Sequence, residues 1–428
     1  MLFGLIGQIA WSVENMYFNS FVFNTISKNL DAITLMVQLS GIVATVITLV
    51  AGTLSDKSGN RKSFISYGYL IWGFTVAIFG FLSPELTANI FNVPVEEAVT
   101  LTLVFVIVGD CVMTLFGSTA NDASFNAWVT DNTNTHNRGT VEGVLAILPL
   151  AAMLIVTGGF GILVSIIGYR MLFLGLGIVI SISGAIGLFI IKDSPSLTPS
   201  GSMRDIFYGF RPSVIKSNAP LYITLFIILV YGIATQVFMP YLIIYMEQFL
   251  GFSPIEYSAV FAIAILLGAV LNLYLTRLSN KIDKALLLYG GAGIYSIGLL
   301  FMYFVKGLDK VPTLILFGIG GFIMISGNIF ISALSGALVR DYTPEGEAGK
   351  LQGVRMVFSV LIPMVVGPLV GNAINAARNI PIPNPDSEAA MTTEYIPAPE
   401  IFLAAAILVL LVIALIPLLR RARASKSN

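Results

Sequence analysis

The chain has 428 residues, of which 56% are hydrophobic and 11% charged, and its 23 basic residues balance its 23 acidic residues. A soluble globular protein carries about 25% charged residues, so this composition excludes a water-soluble domain and a disordered or fibrous chain. Zero net charge gives no indication of nucleic-acid binding. One cysteine and one histidine exclude an internal disulfide and any metal site built on several thiolates or imidazoles.

Long apolar runs dominate the sequence, and each is long enough to cross a hydrocarbon core as a helix of about 20 residues. They do not alternate apolar with polar residues, which excludes a strand barrel. The predicted fold is therefore an all-α integral membrane protein with twelve transmembrane helices. The predicted spans are 2–27, 32–54, 63–83, 99–126, 141–165, 168–191, 218–249, 257–279, 285–306, 311–338, 351–375 and 399–419.

Lys and Arg between the spans predict the orientation. With both termini in the cytoplasm, 18 of the 23 basic residues fall on the inside and five on the outside. The positive-inside rule favours this arrangement. We therefore expect a multi-pass protein of the plasma membrane, the inner membrane of a bacterium, with both termini cytoplasmic.

The longest hydrophilic break divides the chain into two halves. We predict a six-helix bundle over 1–191, a cytoplasmic linker over 192–217 and a second six-helix bundle over 218–428. The halves also share an internal repeat at an offset of 210 residues, since Asp131 matches Asp341 and Gly143 matches Gly353. Two repeats in the same orientation are typical of transporters with a site midway between the halves.

The loop after the second span holds a motif with a readable physical basis. Gly52 permits close helix contact, Gly59 permits a tight turn, and Asp56 can face a helix N-terminus or pair with a cation. Arg61 and Lys62 also fit the role of positive-inside anchors. This spacing of glycines, acid and bases resembles the signature of the major facilitator superfamily at all its defining positions. The resemblance implies two six-helix bundles, alternating access and a cytoplasmic gate that includes Asp56.

Two further acids, Asp131 and Asp341, and one base, Arg138, extend the expected gate. Asp131 and Arg138 follow the fourth span, and the repeat places Asp341 at the equivalent position of the second half. We expect these residues to join a cytoplasmic network that closes when the site faces outward; a solvated loop is the alternative.

Three carboxylates lie inside predicted spans: Glu14, Asp110 and Asp122. Intramembrane acids are costly and indicate function, and these have no basic residue near mid-membrane in the first half. They are expected to be protonated, or paired with a cation or with substrate. Asp110 and Asp122 are 12 residues apart, about 18 Å along a helix, too far to share one ion. Asp110 lies in the outer half of its span, where a hydrated entrance charge with a milder role is expected.

A narrower resemblance covers about twenty residues of the fourth span. Asn121, Asp122 and Asn126 are similar in pattern to helix 4 of the glycoside–pentoside–hexuronide cation symporters, the melibiose-carrier family. The resemblance implies that Asp122 contacts sugar and supports cation coupling. That family also carries cation-binding acids on helix 2, which this chain lacks, so Glu14 is the expected substitute.

These features predict a symporter of a sugar or glycoside, coupled to Na⁺ or H⁺, with no other cofactor. Trp11 and Gln38 in the first half, and Gln236 and Tyr241 in the second, are candidates for the sugar platform. A proton-driven exporter of drugs or other small molecules is the alternative. A membrane enzyme is disfavoured because the polar residues are isolated carboxylates and amides without a nucleophile–base pair. Expected partners are a small-molecule substrate and membrane lipid, without nucleic acid, and the expected state is a monomer.

Overall fold

The structure, a computed structural model, describes residues 1–133, 138–194, 203–344, 348–382 and 394–427. The chain forms two compact units, Met1–Met203 and Arg204–Asn428. Both are helical, and one strand pair occurs in the described part of the second unit.

The described residues of unit 1 form nine helices. They are α1 Leu2–Val13, α2 Asn19–Thr25, α3 Leu30–Ser58, α4 Arg61–Phe79, α5 Pro84–Phe91, α6 Val95–Gly117, α7 Asn126–Asp131, α8 Arg138–Ile155 and α9 Gly161–Ile190. Three π-helical turns join consecutive members of this set without a loop: Glu14–Phe18, Ser118–Phe125 and Val156–Phe160.

Unit 2 has the same kind of organisation. Its helices are α10 Pro212–Ser217, α11 Ala219–Phe238, α12 Leu242–Ile244, α13 Pro254–Arg277, α14 Lys284–Phe304, α15 Lys310–Tyr342, α16 Ala348–Met356, α17 Ile362–Arg378 and α18 Glu400–Ser427. Short 3₁₀ or π segments are Met203–Phe210, Met239–Tyr241, Tyr245–Phe249, Leu278–Asn280 and Val357–Leu361. The strands β1 Ile380–Pro381 and β2 Tyr395–Ile396 pair antiparallel.

The helical stretches account for the predicted twelve spans. Among the described residues, nine stretches are long and apolar enough to cross a membrane, and the pair α4 and α5, bent by 90°, makes a tenth. One of the nine, Ile147–Ile190, breaks in two at Gly168, whose φ is +73°. Residues 2–25 supply the remaining span, since their helix is long enough although its polar residues lower its mean hydropathy. The twelve-helix prediction is confirmed.

The segment between the predicted spans 63–83 and 99–126 contains a helix, because α5 occupies most of it. Ser83 caps the helix by accepting a hydrogen bond from the Leu86 amide at 3.2 Å, and Pro84 occupies its first turn. Both features are strong helix-start signals.

Glycines allow helices α4 and α9 of unit 1 to pack with their backbones in close contact. A Cβ at Gly73 of α4 would lie 2.4 Å from the Gly177 carbonyl of α9, and one at Gly184 would lie 2.4 Å from the Leu70 amide. No side chain fits at these distances, so small residues set the α4–α9 separation, as is common between membrane helices.

Candidate functional site

Asp122 lies in the π-helical turn Ser118–Phe125 and accepts three hydrogen bonds. Its Oδ1 accepts from Trp11 Nε1 at 3.2 Å and from Asn121 Nδ2 at 3.1 Å, and its Oδ2 accepts from Ser118 Oγ at 3.2 Å. The side chain is half-buried. A carboxylate offers about four lone-pair sites, so Asp122 keeps acceptor capacity at Oδ2 for one further donor, such as a substrate hydroxyl.

Asn121 holds this carboxylate in place. Its side chain is buried, with 3% of its surface exposed, and its Oδ1 lies 2.9 Å from the Tyr69 hydroxyl, which also lies 2.6 Å from the Phe3 carbonyl oxygen. Helix α1 reaches this point because residue 7 is glycine: a Cβ there would stand 2.4 Å from Asn121 Oδ1. This burial favours a positioning role for Asn121.

Aromatic rings line the same region. The centroid of Trp11 lies 5.0 Å from that of Trp72, which lies 5.5 Å from that of Tyr69. Trp72 is fully buried, whereas Trp11 is half-buried. Trp11 therefore combines a ring with some exposure and an indole N–H bound to Asp122, a combination suited to the CH face and hydroxyl groups of a sugar.

A second carboxyl cluster surrounds Glu14, which is 8% exposed and begins the π-helical turn Glu14–Phe18. Its Oε1 accepts from Ser40 Oγ at 2.8 Å and from Thr114 Oγ1 at 3.1 Å, and the two hydroxyls lie 2.8 Å apart. Asn15 and Asn19 support the turn by donating to the carbonyl groups four residues earlier, at 2.8 and 3.0 Å. Such π segments frequently mark functional sites.

Asp110 belongs to this second cluster. Only 1% of its surface is exposed, so the expectation of a hydrated entrance charge is wrong. The carboxyl interacts with Ser40, and its charge acts on Glu14. Glu14 Oε2 and Asp110 Oδ1 are both buried without a hydrogen-bond partner among the described residues.

One spacing pattern joins the two clusters. Asp110, Thr114, Ser118 and Asp122 are spaced four residues apart, which places them on one face of a helix. The face carries a carboxyl at each end and two hydroxyls between. The spacing is visible in the sequence, but Ser and Thr are too common in membrane helices to indicate function on their own.

The other candidates of unit 1 lie near these clusters. Gln38 is half-buried on α3, two residues before Ser40. Asn126 is exposed, and its Nδ2 donates to the Asp122 carbonyl oxygen at 3.1 Å. Their roles toward substrate stay predictions.

The candidates of unit 2 differ in exposure. Gln236 is half-buried on α11, where Gly367 of α17 packs so closely that a Cβ would stand 2.4 Å from Gln236 Cβ. Tyr241 is fully buried and donates to the Pro368 carbonyl oxygen at 2.9 Å. This geometry suits helix packing and gives no support to a substrate role for Tyr241.

Unit 2 also contains a polar cluster that no pattern in the sequence predicts. Thr235 Oγ1 lies 2.7 Å from the Tyr295 hydroxyl and accepts from Asn328 Nδ2 at 3.3 Å. The three side chains come from α11, α14 and α15, so only the folded chain brings them together.

The cytoplasmic motif of unit 1 centres on Arg61, whose side chain is 5% exposed. Its guanidinium donates to Asp131 Oδ2 at 3.0 Å, to Ser55 Oγ at 2.8 Å and to Asp56 Oδ1. Asp131 thus joins a network with Arg61. The predicted tight turn is confirmed, since Gly59 has φ +60°.

Within the described part of unit 1, the other expected gate residues make no ion pair with Arg61. The Lys62 amide donates to Asp193 Oδ1 at 2.9 Å. A Cβ at Gly52 would meet Ala123 Cβ at 3.9 Å, an ordinary van der Waals contact. The Arg138 side chain lies outside the described residues.

The repeat extends to this ion pairing. Arg61 begins α4 and pairs with Asp131, and in unit 2 Lys284 begins α14 and its Nζ lies 2.5 Å from Asp341 Oδ2. Arg423 pairs with the adjacent Asp283 at 2.9 Å. Each unit therefore pairs the first residue of one helix with the matched aspartate of the repeat.

Comparison with known proteins identifies the family and the fold. The sequence profile of the Major Facilitator Superfamily matches residues 2–368. A crystal structure of a mutant of the nucleoside transporter NupG is similar over 97% of this chain and 98% of its own, with a TM-score of 0.65 and 14% identity. A bacterial homolog of the human lysosomal transporter Spinster, in an inward-facing and unoccupied conformation, is similar over 99% and 96%, with a TM-score of 0.67 and 13% identity. No curated protein matches the chain. The chain is a transporter rather than an enzyme, and it belongs to the Major Facilitator Superfamily.

Proposed function

We propose that this transporter is a symporter that couples the uptake of a sugar or glycoside to a cation gradient, Na⁺ or H⁺, by alternating access. The observation that carries the proposal is the set of three acids within the spans of unit 1: Glu14, Asp110 and Asp122. Asp122 is half-buried and the other two are buried. None of these three acids takes part in an ion pair among the described residues. A carrier can use such groups because an incoming cation neutralises them and lets the loaded protein reorient.

The substrate part of the proposal rests on Asp122 and its neighbours. A carboxylate with one free acceptor site, next to the half-exposed ring of Trp11, offers the two contacts that a sugar needs. Asn121 positions the carboxylate, and Asn126, Gln38 and the second-half residue Gln236 complete the proposed substrate set.

The gate part of the proposal rests on the ion pairs at helix ends. Arg61 with Asp56 and Asp131, and Lys284 with Asp341, are proposed to form in one access state and open in the other. In this proposal residues 1–191 and 218–428 are the moving bundles, and residues 192–217 are the linker. The protein acts as a monomer in the bacterial inner membrane with both termini in the cytoplasm.

Uptake by purified protein in liposomes tests the proposal. A panel of monosaccharides, disaccharides and glycosides is offered with an inward Na⁺ gradient, then with an inward proton gradient, and protein-free liposomes are the control. Accumulation of one sugar above its equilibrium level, under one of the gradients only, is the expected result. Failure of every sugar to accumulate would overturn the proposal, and proton-driven extrusion of an apolar dye would favour the exporter instead.

A further inference from the structure

We propose that Glu14 and Asp110 together bind one exchangeable proton, which is the coupling ion, while Asp122 remains the separate contact for substrate. This inference rests on the proposed symport and names its cation and the residues that carry it. It comes from the contacts around Glu14 and Asp110, where the two carboxyls meet the hydroxyls of Ser40 and Thr114.

The hydroxyls around Glu14 carry fewer hydrogens than their contacts require. The three oxygens Glu14 Oε1, Ser40 Oγ and Thr114 Oγ1 contact one another pairwise at 2.8, 3.1 and 2.8 Å. Two hydroxyls supply two hydrogens for these three contacts. Ser40 also interacts with Asp110, and its one hydrogen cannot serve all its neighbours at once. A proton on a carboxyl supplies the missing donor.

The unpartnered oxygens of the two carboxyls also favour a bound proton. Glu14 Oε2 and Asp110 Oδ1 are buried without a hydrogen-bond partner in the described part of the chain. Burying an unpartnered anionic oxygen is costly. Two carboxyls in one site hold a proton between them because both cannot ionise cheaply. One proton changes the charge of the pair from −2 to −1.

The surroundings of the pair are acidic. Asp110 and Asp122 are the charged groups that act on Glu14, and no Lys or Arg is among them. Helix α3 contributes the Ser40 hydroxyl, and α6 contributes Thr114 and Cys111. The charges of Asp110 and Glu14 both act on the Cys111 thiol. A cation is therefore the partner that this site lacks.

The oxygen–oxygen distances favour a proton over Na⁺. An ion the size of Ca²⁺ or Na⁺ stands about 2.3–2.6 Å from its oxygen ligands, which places neighbouring ligands of an octahedron about 3.3–3.7 Å apart. The three contacts here, at 2.8, 2.8 and 3.1 Å, are hydrogen-bond distances. The oxygens of this cluster are therefore spaced as in hydrogen bonds and not as neighbouring ligands of Na⁺.

Asp122 differs from the pair in its partners. Three donors already point at its carboxylate, and the side chain is half-buried rather than buried. A carboxylate that accepts several hydrogen bonds needs no proton to satisfy its oxygens. This separation assigns cation binding to the Asp110 end and substrate binding to the Asp122 end of the face that carries Asp110, Thr114, Ser118 and Asp122.

Infrared difference spectroscopy of the full-length protein, as pH is raised, detects the loss of a protonated carboxyl directly and needs no substrate. The variants are Glu14→Gln, Asp110→Asn, the double variant and Asp122→Asn, and Glu97→Gln is the control because Glu97 is an exposed carboxyl on the same helix. We expect one titrating band in the wild type, in Asp122→Asn and in Glu97→Gln. The band should be absent in the double variant, and each single variant should move its titration by about one pH unit or more.

A titrating band that survives in the double variant, or that disappears in Asp122→Asn, would overturn the inference. Ser40→Ala guards against misfolding of the amide variants, because it keeps both carboxyls and should move the titration without abolishing it; no effect in Ser40→Ala would also count against the inference. The experiment separates the two proposals. A normal titration in a protein that accumulates no sugar would refute the proposed symport alone, whereas sugar symport with no titrating pair would refute the inference alone.

Discussion

Replacing Asp122 tests the proposed substrate contact, and the structure makes the asparagine variant conservative. Asn keeps an acceptor where Trp11 Nε1 and Asn121 Nδ2 converge on Oδ1, and the Ser118 hydroxyl can rotate to accept from the new amide. Asp122→Ala instead leaves the buried Asn121 amide without its acceptor. The two variants therefore separate the loss of a charge from the loss of a scaffold.

The expected magnitudes follow from the hydrogen bonds involved. A substrate hydroxyl that donates to a carboxylate contributes about 1.5–3 kcal/mol, and one that instead accepts from the neutral amide of Asp122→Asn contributes about 0.5–1.5 kcal/mol. Asp122→Asn should therefore lose about 1–1.5 kcal/mol of binding, roughly a tenfold rise in Kd. Asp122→Ala should lose the whole contact, roughly 10- to 100-fold, and about 1–3 kcal/mol of stability from the unsatisfied Asn121 amide.

Calorimetric titration of the purified variants, with the sugar that the wild type accumulates, measures both effects. Thermal unfolding of the same samples gives the stability change. If Asp122→Asn binds the sugar with the wild-type Kd, Asp122 makes no contact with substrate and the assignment is refuted. If Asp122→Ala is as stable as the wild type, the hydrogen bonds from Trp11, Asn121 and Ser118 to this carboxylate do not contribute to stability.

Other parts of the structure carry their own predictions. Arg61→Ala should destabilise unit 1 by about 1–3 kcal/mol. This is less than the cost of breaking a fully buried ion pair, because both partner acids of Arg61 are partly exposed. An unchanged melting temperature would show that these ion pairs do not stabilise unit 1. Gly184→Ala should destabilise by about 1–3 kcal/mol through overpacking, whereas the control Gly175→Ala, where an added Cβ meets nothing within 4 Å, should be neutral or stabilising by up to about 1 kcal/mol; equal melting temperatures would refute the packing account. In a background without the native cysteine, Ser58→Cys should be labelled only from the cytoplasm and Asn92→Cys only from outside; the reverse pattern would invert the orientation.

The spans and the cytoplasmic motif were predictable because local sequence determines them. Apolar run length sets where a helix crosses the membrane, and Gly168 marks the break between two spans that the sequence placed close together. Gly59 and Arg61 stand in a fixed spacing around one turn, so the turn and the nearby ion pair follow from the motif.

The candidate site was less predictable because tertiary contacts decide it. Glu14, Ser40 and Thr114 are far apart in sequence, and no local pattern brings them together. The position of Asp110 in the outer half of its span suggested hydration, but its burial depends on which face of α6 packs against α3, α4 and α5. Tyr241 is fully buried and donates to the Pro368 carbonyl oxygen, and the sequence alone does not distinguish a packing aromatic at mid-span from a substrate contact.

Proton movement on sugar addition measures directly whether the buried acids Glu14 and Asp110 couple sugar transport to protons. Sugar is added to a lightly buffered suspension of liposomes containing the protein, and the external pH is followed. The account predicts that the medium turns alkaline with the wild type and with Glu97→Gln, and that it does not with Glu14→Gln. Sugar uptake by the wild type without any pH change, or an undiminished pH change with Glu14→Gln, would contradict it.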